Sequence, residues 1–226
     1  MHIIFYGHSC FRVEVGGKKI LFDPFITGNP LASHINPDTI AADIICISHA
    51  HSDHVGDALR IAKRTNALLI AVWEVGQWFE EQGLHNVMKM NIGGSMKFDF
   101  GKIKLVNAVH TSRFADGSNG GKPCGFYVTS HEKDFYFAGD TALHYDMKLL
   151  GKHAHVDFAF LPMGDVFTMD VDDALIASKY IKCDTIIGMH YDTFDIITID
   201  HAQAKDKFSS QDKKLILMRV GEEIEI

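Results

Sequence analysis

The sequence contains no apolar stretch that approaches the roughly 20 residues needed to cross a membrane as a helix. The opening segment, MHIIFYG, lacks the basic start and the long apolar run of a secretory signal. Cysteine is also scarce: Cys10, Cys46, Cys124 and Cys183 lie far apart and form no CxxC pair. We therefore expect buried, reduced thiols in a cytoplasmic protein that has no membrane partner.

Basic residues are outnumbered, with 22 Lys and Arg against 29 Asp and Glu and a net charge of -7. The densest basic stretch contains Arg60, Lys63 and Arg64, and its spacing is typical of a solvated helix face. Such a chain is poorly suited to binding phosphate backbones in general. We expect a small-molecule substrate and no nucleic-acid partner.

Short apolar runs alternate with amphipathic segments along the chain. Strands are predicted at 2–6, 11–15, 19–22, 43–48, 68–72, 124–130, 134–138, 158–161, 185–189 and 215–220, with others between 87 and 110. Helices are predicted at 56–65, 74–82, 143–150, 171–181 and 201–208. Because no linker or repeat divides the sequence, we expect a single α/β domain over residues 1–226.

The most informative segment is His49-Ala50-His51-Ser52-Asp53-His54, which follows the apolar run DIICIS and precedes a predicted helix. Residues two apart in an extended chain point to the same side, so His49 and His51 can bind one ion. The turn into the helix redirects Asp53 and His54, which can then hold a second ion. The alternative is three surface histidines and a helix-capping aspartate. Imidazole with carboxylate, however, is a ligand set that suits divalent transition metals.

Three later segments repeat this arrangement, in which a polar residue directly follows an apolar strand. His110 follows KIKLVNAV, Asp140 follows FYFAG, and His190 follows DTIIGM. Each residue alone is compatible with a cap or a loop position. Because sites in α/β proteins gather at the carboxyl ends of strands, the repetition predicts that these side chains join the first cluster.

The segment HAHSDH resembles the HxHxDH signature of the metallo-β-lactamase superfamily, and His110, Asp140 in GDT, and His190 match its later ligand motifs in order. The region from Tyr6 to Ala32, together with LPMGDVFTM and MHYDTF, is similar to a subgroup of metal-dependent hydrolases related to L-ascorbate-6-phosphate lactonase. The resemblance covers nearly the whole chain. It is specific for fold and metal and much less specific for substrate.

This resemblance implies an α/β fold of the αββα type, a sandwich of two mixed β-sheets with flanking helices. It also implies a pair of divalent transition-metal ions, with Zn as the first choice and Mn, Fe or Ni as alternatives. The implied ligands are His49, His51 and His110 for the first ion and Asp53, His54 and His190 for the second, with Asp140 bridging. Asp53 and Asp140 are the implied catalytic residues.

The resemblance also suggests residues around the centre. His8 ends the first strand and is expected to bind substrate or adjust the metal shell, with a hydrogen-bonded turn residue as the alternative. The residues expected to line a substrate pocket are Asn29, Tyr191, Phe167 and Thr168. The candidates for orienting the imidazoles, or else for capping turns, are Asp23, Thr141, Asp165 and Asp192.

The sequence therefore predicts a hydrolase that uses metal-activated water on an ester, lactone or phosphoester bond of a small anionic metabolite. No GxSxG motif or catalytic-cysteine motif offers a protein nucleophile instead. Two alternatives stay open: a phosphodiesterase or nuclease, and a metal-dependent binding module without turnover. The aromatic residues at the predicted helix around 74–82, Trp73, Trp78 and Phe79, belong either to the core or to an interface, which leaves a homo-oligomer open.

Overall fold

A computed structural model describes residues 1–226, and its strands form two seven-stranded sheets. The first sheet contains β1 (His2–Gly7), β2 (Cys10–Val15), β3 (Lys18–Phe22), β4 (Ile44–Cys46), β5 (Leu68–Val72), β6 (Val87–Met90) and β14 (Glu223–Glu225). The second contains β7 (Ser95–Phe98), β8 (Gly101–Asn107), β9 (Cys124–Ser130), β10 (Phe135–Phe137), β11 (Phe158–Pro162), β12 (Thr185–Met189) and β13 (Lys214–Ile216).

Both sheets are mixed, and their strand directions follow the same plan. The first has the order β14-β1-β2-β3-β4-β5-β6, antiparallel as far as β3 and parallel from β3 to β6. The second has the order β13-β12-β11-β10-β9-β8-β7, parallel from β13 to β10 and antiparallel from β10 to β7. The parallel strands are short, continuous apolar runs, as expected for strands that are covered on both faces.

Aromatic side chains join the two sheets. Phe22 on β3 stacks on Phe137 of β10 with ring centroids 4.5 Å apart, and Phe11 on β2 contacts Phe160 of β11 at 4.6 Å. All four side chains are fully buried in one continuous core that draws on both sheets. Each ring of this size removes about 150–250 Å² from water, so these contacts are a large part of what holds the sandwich closed.

Six α-helices flank the sheets, which confirms the predicted αββα sandwich. They are α1 (Ser52–Val55), α2 (Ala58–Thr65), α3 (Trp73–Glu81), α4 (Met147–His153), α5 (Val171–Tyr180) and α6 (His201–Ser209). Asp170 and Asp200 accept hydrogen bonds from backbone N–H groups in the first turns of α5 and α6, which fixes where these helices begin. None of the helices combines the length and apolar character that spanning a bilayer requires.

Strand direction determines where the chemistry-bearing loops emerge. In the first sheet β1, β3 and β4 run the same way, and in the second β8, β10 and β12 do. The loops that follow these strands lead directly to His8, Asp23, His49, His110, Asp140 and His190. The topology therefore collects six widely separated segments at one edge of the sandwich.

The C-terminal prediction was wrong in detail. The expected strand over 215–220 pairs with β12 only as far as Ile216, and the chain then leaves the sheet. It turns at Gly221, whose N–H donates to the Phe5 carbonyl, and then forms β14 beside β1. The pairing of β14 with the first strand depends on contacts across the whole chain, which no local apolar pattern records.

Candidate metal centre

The loop between β4 and α1 supplies the first four side chains of the centre. His49 and His54 are fully buried, whereas His51 and Asp53 open to a cavity. The chain is extended at His51, with φ -68° and ψ 148°, and becomes helical at Ser52. This change from extended to helical chain brings the four side chains to the same centre.

His49, His51 and His110 form one group, in which one ring nitrogen from each lies within 4.8 Å of the others. The closest approach is 2.9 Å, between Nε2 of His49 and Nδ1 of His51. Burial lowers the pKa of all three rings, with the neighbouring histidines adding to the effect. The rings are therefore neutral near pH 7, the form that binds metals.

Asp53, His54 and His190 form a second group, and His8 belongs to it as well. Nε2 of His8 lies 3.2 Å from Oδ2 of Asp53, and its Nδ1 lies 2.9 Å from the Thr193 hydroxyl. Burial lowers the pKa of His8 to about 4, so this ring is also neutral near pH 7. Since a neutral ring has one N–H, donation to Asp53 from Nε2 requires that Nδ1 accept the Thr193 proton.

Asp140 lies between the two groups. Its Oδ2 is 3.0 Å from Nε2 of His190 and 3.2 Å from Nε2 of His54, both in the second group. The same oxygen is 3.6 Å from Nε2 of His110 and 3.9 Å from Nε2 of His49, both in the first group. Burial alone would raise the pKa of Asp140, but the fields of His190 and His54 hold it well below its usual range. An ionised carboxylate at this point can join the two groups.

Gly139 explains how Asp140 reaches this position. Its φ is +62°, and a Cβ there would lie 2.8 Å from both the Cys124 carbonyl oxygen and the Ser48 Cβ. Any other side chain would strain the backbone and push against the neighbouring strands. The glycine therefore lets the chain turn from β10 into the space between the two histidine groups.

The nitrogen and oxygen atoms of these side chains are better arranged to bind divalent transition metals than to form hydrogen bonds with one another. Nε2 of His54, Oδ1 of Asp140 and Nδ1 of His190 are buried and have no hydrogen-bond partner. Buried polar atoms are almost always satisfied in native proteins, so the unpartnered Nε2 of His54 and Oδ1 of Asp140 fit a centre that binds cations. Nε2 of His54 illustrates the point, because it is near Asp140 yet is not aligned for a hydrogen bond with it. Five imidazoles and two carboxylates are borderline-hard ligands of the type that Zn, Mn, Fe and Ni accept.

A hydrogen-bonded chain behind the centre fixes two of the imidazoles. Oδ2 of Asp23 accepts from the Ser48 hydroxyl at 2.6 Å and lies 2.8 Å from Nδ1 of His54. The Ser48 hydroxyl in turn lies 2.9 Å from Nδ1 of His49. Each imidazole can donate from Nδ1 and offer Nε2 to a metal. Although burial alone would lower it, in the metal-free protein the Asp140 and Asp23 carboxylates raise the pKa of His54, so a metal at this Nε2 would displace a proton. The fully buried Asp23 therefore contacts His54 of the second group directly and His49 of the first group through Ser48.

The cavity in front of the centre has a volume of about 530 Å³. Its polar surface comes from candidate ligands and two hydroxyl residues, namely His51, Asp53, His110, Asp140, His190, Ser52 and Thr111. Its apolar surface comes from Phe25, Phe167, Phe194 and Ile196. The volume is typical of a small-molecule site.

The comparisons with known proteins agree with this geometry. Residues 2–190 match the family described as "Beta-lactamase superfamily domain". The chain is 51% identical over 226 residues to a UPF0173 metal-dependent hydrolase of Flavobacterium johnsoniae, and the match covers 100% of both chains. It is 48% identical over 224 residues to a protein of the same name from Methylacidiphilum infernorum, with 99% of each covered. The chain belongs to the metallo-β-lactamase superfamily.

A solved structure of a metallo hydrolase is also similar over the full length. Igni18, described as a novel metallo hydrolase from the archaeon Ignicoccus hospitalis, superposes with a TM-score of 0.88 at 35% identity. The match covers 100% of this chain and 98% of Igni18. The similarity therefore includes both sheets and every segment that contributes to the centre.

Two residues expected in the substrate pocket of this metallo-β-lactamase fold have structural roles instead. Asn29 is buried, donates from Nδ2 to the Phe25 carbonyl and accepts from the Leu31 N–H. Tyr191 is buried, and its hydroxyl donates to the Met218 carbonyl at 3.3 Å. Neither residue lines the cavity. Local motif matching found these positions near the site but could not tell which way their side chains turn.

Of the remaining residues that the sequence suggests around the centre, some lie at the site and others have structural roles elsewhere. Phe167 lines the cavity, and Thr168 does not. Of the four residues considered for orienting imidazoles, Asp23 contacts a ligand directly, and Thr141 accepts from the Val109 N–H beside His110. The other two stabilise turns: Asp165 accepts from the Val166 N–H, and Asp192 accepts from the Ile199 N–H.

Sequence reasoning missed several residues of the site. Thr193 supports His8, while Phe25, Phe194 and Ile196 form most of the apolar cavity wall. Thr193 and Phe194 lie three and four residues after His190, so their proximity to a candidate ligand was a usable signal. Phe25 stands two residues after Asp23 and offered the same signal.

Proposed function

We propose that this protein is a metal-dependent hydrolase that cleaves an ester, lactone or phosphoester bond in a small molecule. The observation that carries the proposal is the position of Asp140 Oδ2. It lies at an open cavity, within 4.0 Å of one imidazole nitrogen from each of four histidines. The names of the relatives, metal-dependent hydrolases, support the same activity. The resemblance to the lactonase branch supports a lactone or ester among the bonds considered.

We propose two resident ions, with Zn as the first choice and Mn, Fe or Ni as alternatives. His49, His51 and His110 would hold one ion, Asp53, His54 and His190 the other, and Asp140 would contact both. When bound, such ions lower the pKa of a coordinated water and polarise the oxygen of the bond to be cleaved. The spacing of the two groups around one carboxylate supports this arrangement.

We propose Asp53 as the residue of this chain that positions the attacking water and takes part in moving its proton. Burial would raise its pKa, but the hydrogen bond from His8 and the fields of His54 and His8 lower it, so the carboxylate is ionised. It opens to the cavity and can accept a proton from the attacking water. In the balanced reaction the water oxygen bonds to carbon or phosphorus, the bond to the leaving oxygen breaks, and that proton passes to the leaving oxygen. His8 and Thr193 hold Asp53 in place for this transfer.

The proposed setting is the cytoplasm, where four buried free cysteines stay reduced. The proposed partner is a small molecule, and a net charge of -7 argues against a nucleic-acid substrate. We also propose that the surface around Trp73, which is half exposed on α3, forms the contact of a homo-oligomer.

The test uses protein that is stripped of metal and reloaded with Zn or Mn. We expect turnover of p-nitrophenyl acetate, a simple lactone or bis(p-nitrophenyl) phosphate that depends on added metal. Asp140→Ala should abolish this turnover, because it removes the oxygen shared by both histidine groups. Asp43→Ala is the matched control, since Asp43 is an exposed aspartate that binds only a backbone N–H of Lys19.

The other outcomes decide between the alternatives. Cleavage of single-stranded RNA in preference to the small substrates would assign the centre to a nuclease. Stoichiometric metal binding with no turnover of any substrate would assign it to a binding module. Turnover that survives in Asp140→Ala would place the activity outside this centre.

A further inference from the structure

We propose that the part of the substrate remote from the cleaved bond is uncharged and apolar, an acyl or aryl group seated on the cavity wall. This inference rests on the proposed hydrolase function and narrows its substrate class. It departs from the sequence-based expectation of an anionic metabolite. The site it concerns is the apolar wall formed by Phe25, Phe167, Phe194 and Ile196.

Three side chains of the apolar wall are large and hydrophobic, yet they are exposed to solvent. Ile196 is 61% exposed, Phe167 50% and Phe194 39%. All three line the same cavity as the candidate metal ligands and are not scattered over the surface. Contiguous exposed apolar surface of this kind marks binding sites, because covering it with an apolar group releases its ordered water.

The cavity offers no partner for a negative group away from the metal centre. No lysine or arginine is among its eleven lining residues. Its only charged side chains are candidate ligands, and the hydroxyls of Ser52 and Thr111 are its only other side-chain donors. A distal carboxylate or phosphate would lose hydration without gaining a cation or a fork of N–H donors. The chemistry of the cavity therefore selects against charge on that part of the substrate.

Two residues of the apolar wall are held in place by contacts with His8. The ring centroids of Phe25 and Phe194 lie 5.7 and 5.8 Å from the ring centroid of His8. The His8 ring is itself hydrogen-bonded to Thr193. Ile196 belongs to a short 3-10 helix, Asp195–Ile197, whose last residue donates an N–H to the Phe194 carbonyl. These contacts tie two of the apolar residues to His8, beside the metal-ligand groups.

The segment that carries Phe167 is strained. Val166 has a φ of +56°, a left-handed conformation that a β-branched residue rarely adopts. The Asp165 carboxylate accepts from the Val166 N–H and stabilises this turn, which leaves Phe167 on the cavity. Strain of this kind persists where the surrounding structure fixes it, and it clusters at ligand sites.

The test compares esters that differ only in the remote group. For the metal-loaded protein we expect kcat/KM to rise on the order of tenfold from p-nitrophenyl acetate to p-nitrophenyl hexanoate, because each added methylene is partly buried. The p-nitrophenyl monoester of adipic acid, which has a carboxylate at the end of the same chain, should fall to about the acetate value or below. A carboxylated ester that matches or exceeds hexanoate would overturn the inference and leave the hydrolase intact.

A binding measurement separates the two proposals. Hexanoate should bind to the metal-loaded protein at least about fivefold more tightly than adipate by isothermal titration calorimetry, with no turnover involved. If this preference appears but no ester, lactone or phosphoester is cleaved, the hydrolase proposal fails and the apolar wall stands. If adipate binds as well as hexanoate, the apolar-wall inference fails whatever the activity.

A charge-introducing variant identifies the surface responsible. Ile196→Lys should raise kcat/KM for the adipate monoester relative to hexanoate about tenfold, because it adds a cation at the exposed side of the wall. Leu149→Lys is the matched control, since Leu149 is 55% exposed on α4 and lies outside this cavity. An unchanged preference in Ile196→Lys, together with a change in oligomeric state by ultracentrifugation, would assign the patch to self-association and overturn the inference.

Discussion

Replacing Asp23 with asparagine tests how the chain prepares its imidazoles. Oδ1 of Asp23 accepts from the Ser48 N–H at 2.8 Å, so an asparagine should keep its oxygen there. The amide NH2 would then face Nδ1 of His54 and the Ser48 hydroxyl. Since NH2 only donates, Nδ1 of His54 would become the acceptor, and the ring proton would move to Nε2. A protonated Nε2 cannot bind a metal.

The expected loss in metal affinity is about 10–100-fold, or roughly 1.4–2.7 kcal/mol, the range for partners that orient ligating histidines. Zn affinity is measured by competition with a chromophoric chelator. Unfolding of the metal-free variant in urea should also show a loss of about 2 kcal/mol, because a buried charged hydrogen-bond acceptor is replaced by a neutral one.

Asp43→Asn is the control for this experiment. Asp43 also accepts a backbone hydrogen bond, from the Lys19 N–H at 2.8 Å, but it is exposed and remote from the ligands. It should change Zn affinity less than twofold. If Asp23→Asn also kept its affinity within about threefold of the unmodified protein, the reasoning about imidazole orientation would be refuted.

Three further predictions concern the centre, its pH dependence and the core. Asp140→Ala should reduce bound Zn by at least one ion per chain in elemental analysis of dialysed protein, since it removes the oxygen between the two histidine groups; full retention would contradict a bridging role. Burial lowers the pKa of His8 from 6.5 to about 4, so the metal-free folded state binds fewer protons than the unfolded chain over that interval and loses stability as pH falls. Between about pH 7.5 and about pH 5, His8 should lower the free energy of unfolding by about 2 kcal/mol, as measured in urea with EDTA. The free energy of unfolding of His8→Asn should fall correspondingly less over the same interval. Phe160→Ala should destabilise the protein by about 3–5 kcal/mol, because Phe160 is fully buried and packs on Phe11 between the sheets; a loss below about 1 kcal/mol would argue against that packing.

The fold was predictable because its signals are local and repeated. Apolar runs such as DIICIS and DTIIGM read as strands, and a polar residue after each run indicated which strand ends carry chemistry. Strands that run the same way in one sheet end at the same edge, and the packing of the two sheets then brings His49, His110, Asp140 and His190 together. Composition contributed little to this result.

Other features depend on long-range contacts that a local pattern cannot contain. Glu223–Glu225 becomes a strand only because β1 is available as its partner. Asn29 and Tyr191 lie in the expected segments, but their side chains turn toward backbone carbonyls rather than the cavity. Ile196 reaches the cavity through the path of an irregular loop, and no periodicity marks it in the sequence.

The central claim is that side chains from four separate segments of the chain enclose a pair of metal ions. Anomalous diffraction at the absorption edge of the loaded metal, from crystals of the reloaded protein, tests this claim directly. We expect two peaks about 3.5–4 Å apart, one beside His49, His51 and His110 and the other beside Asp53, His54 and His190, with Asp140 between them. Peaks elsewhere, or none in fully loaded crystals, would contradict the account.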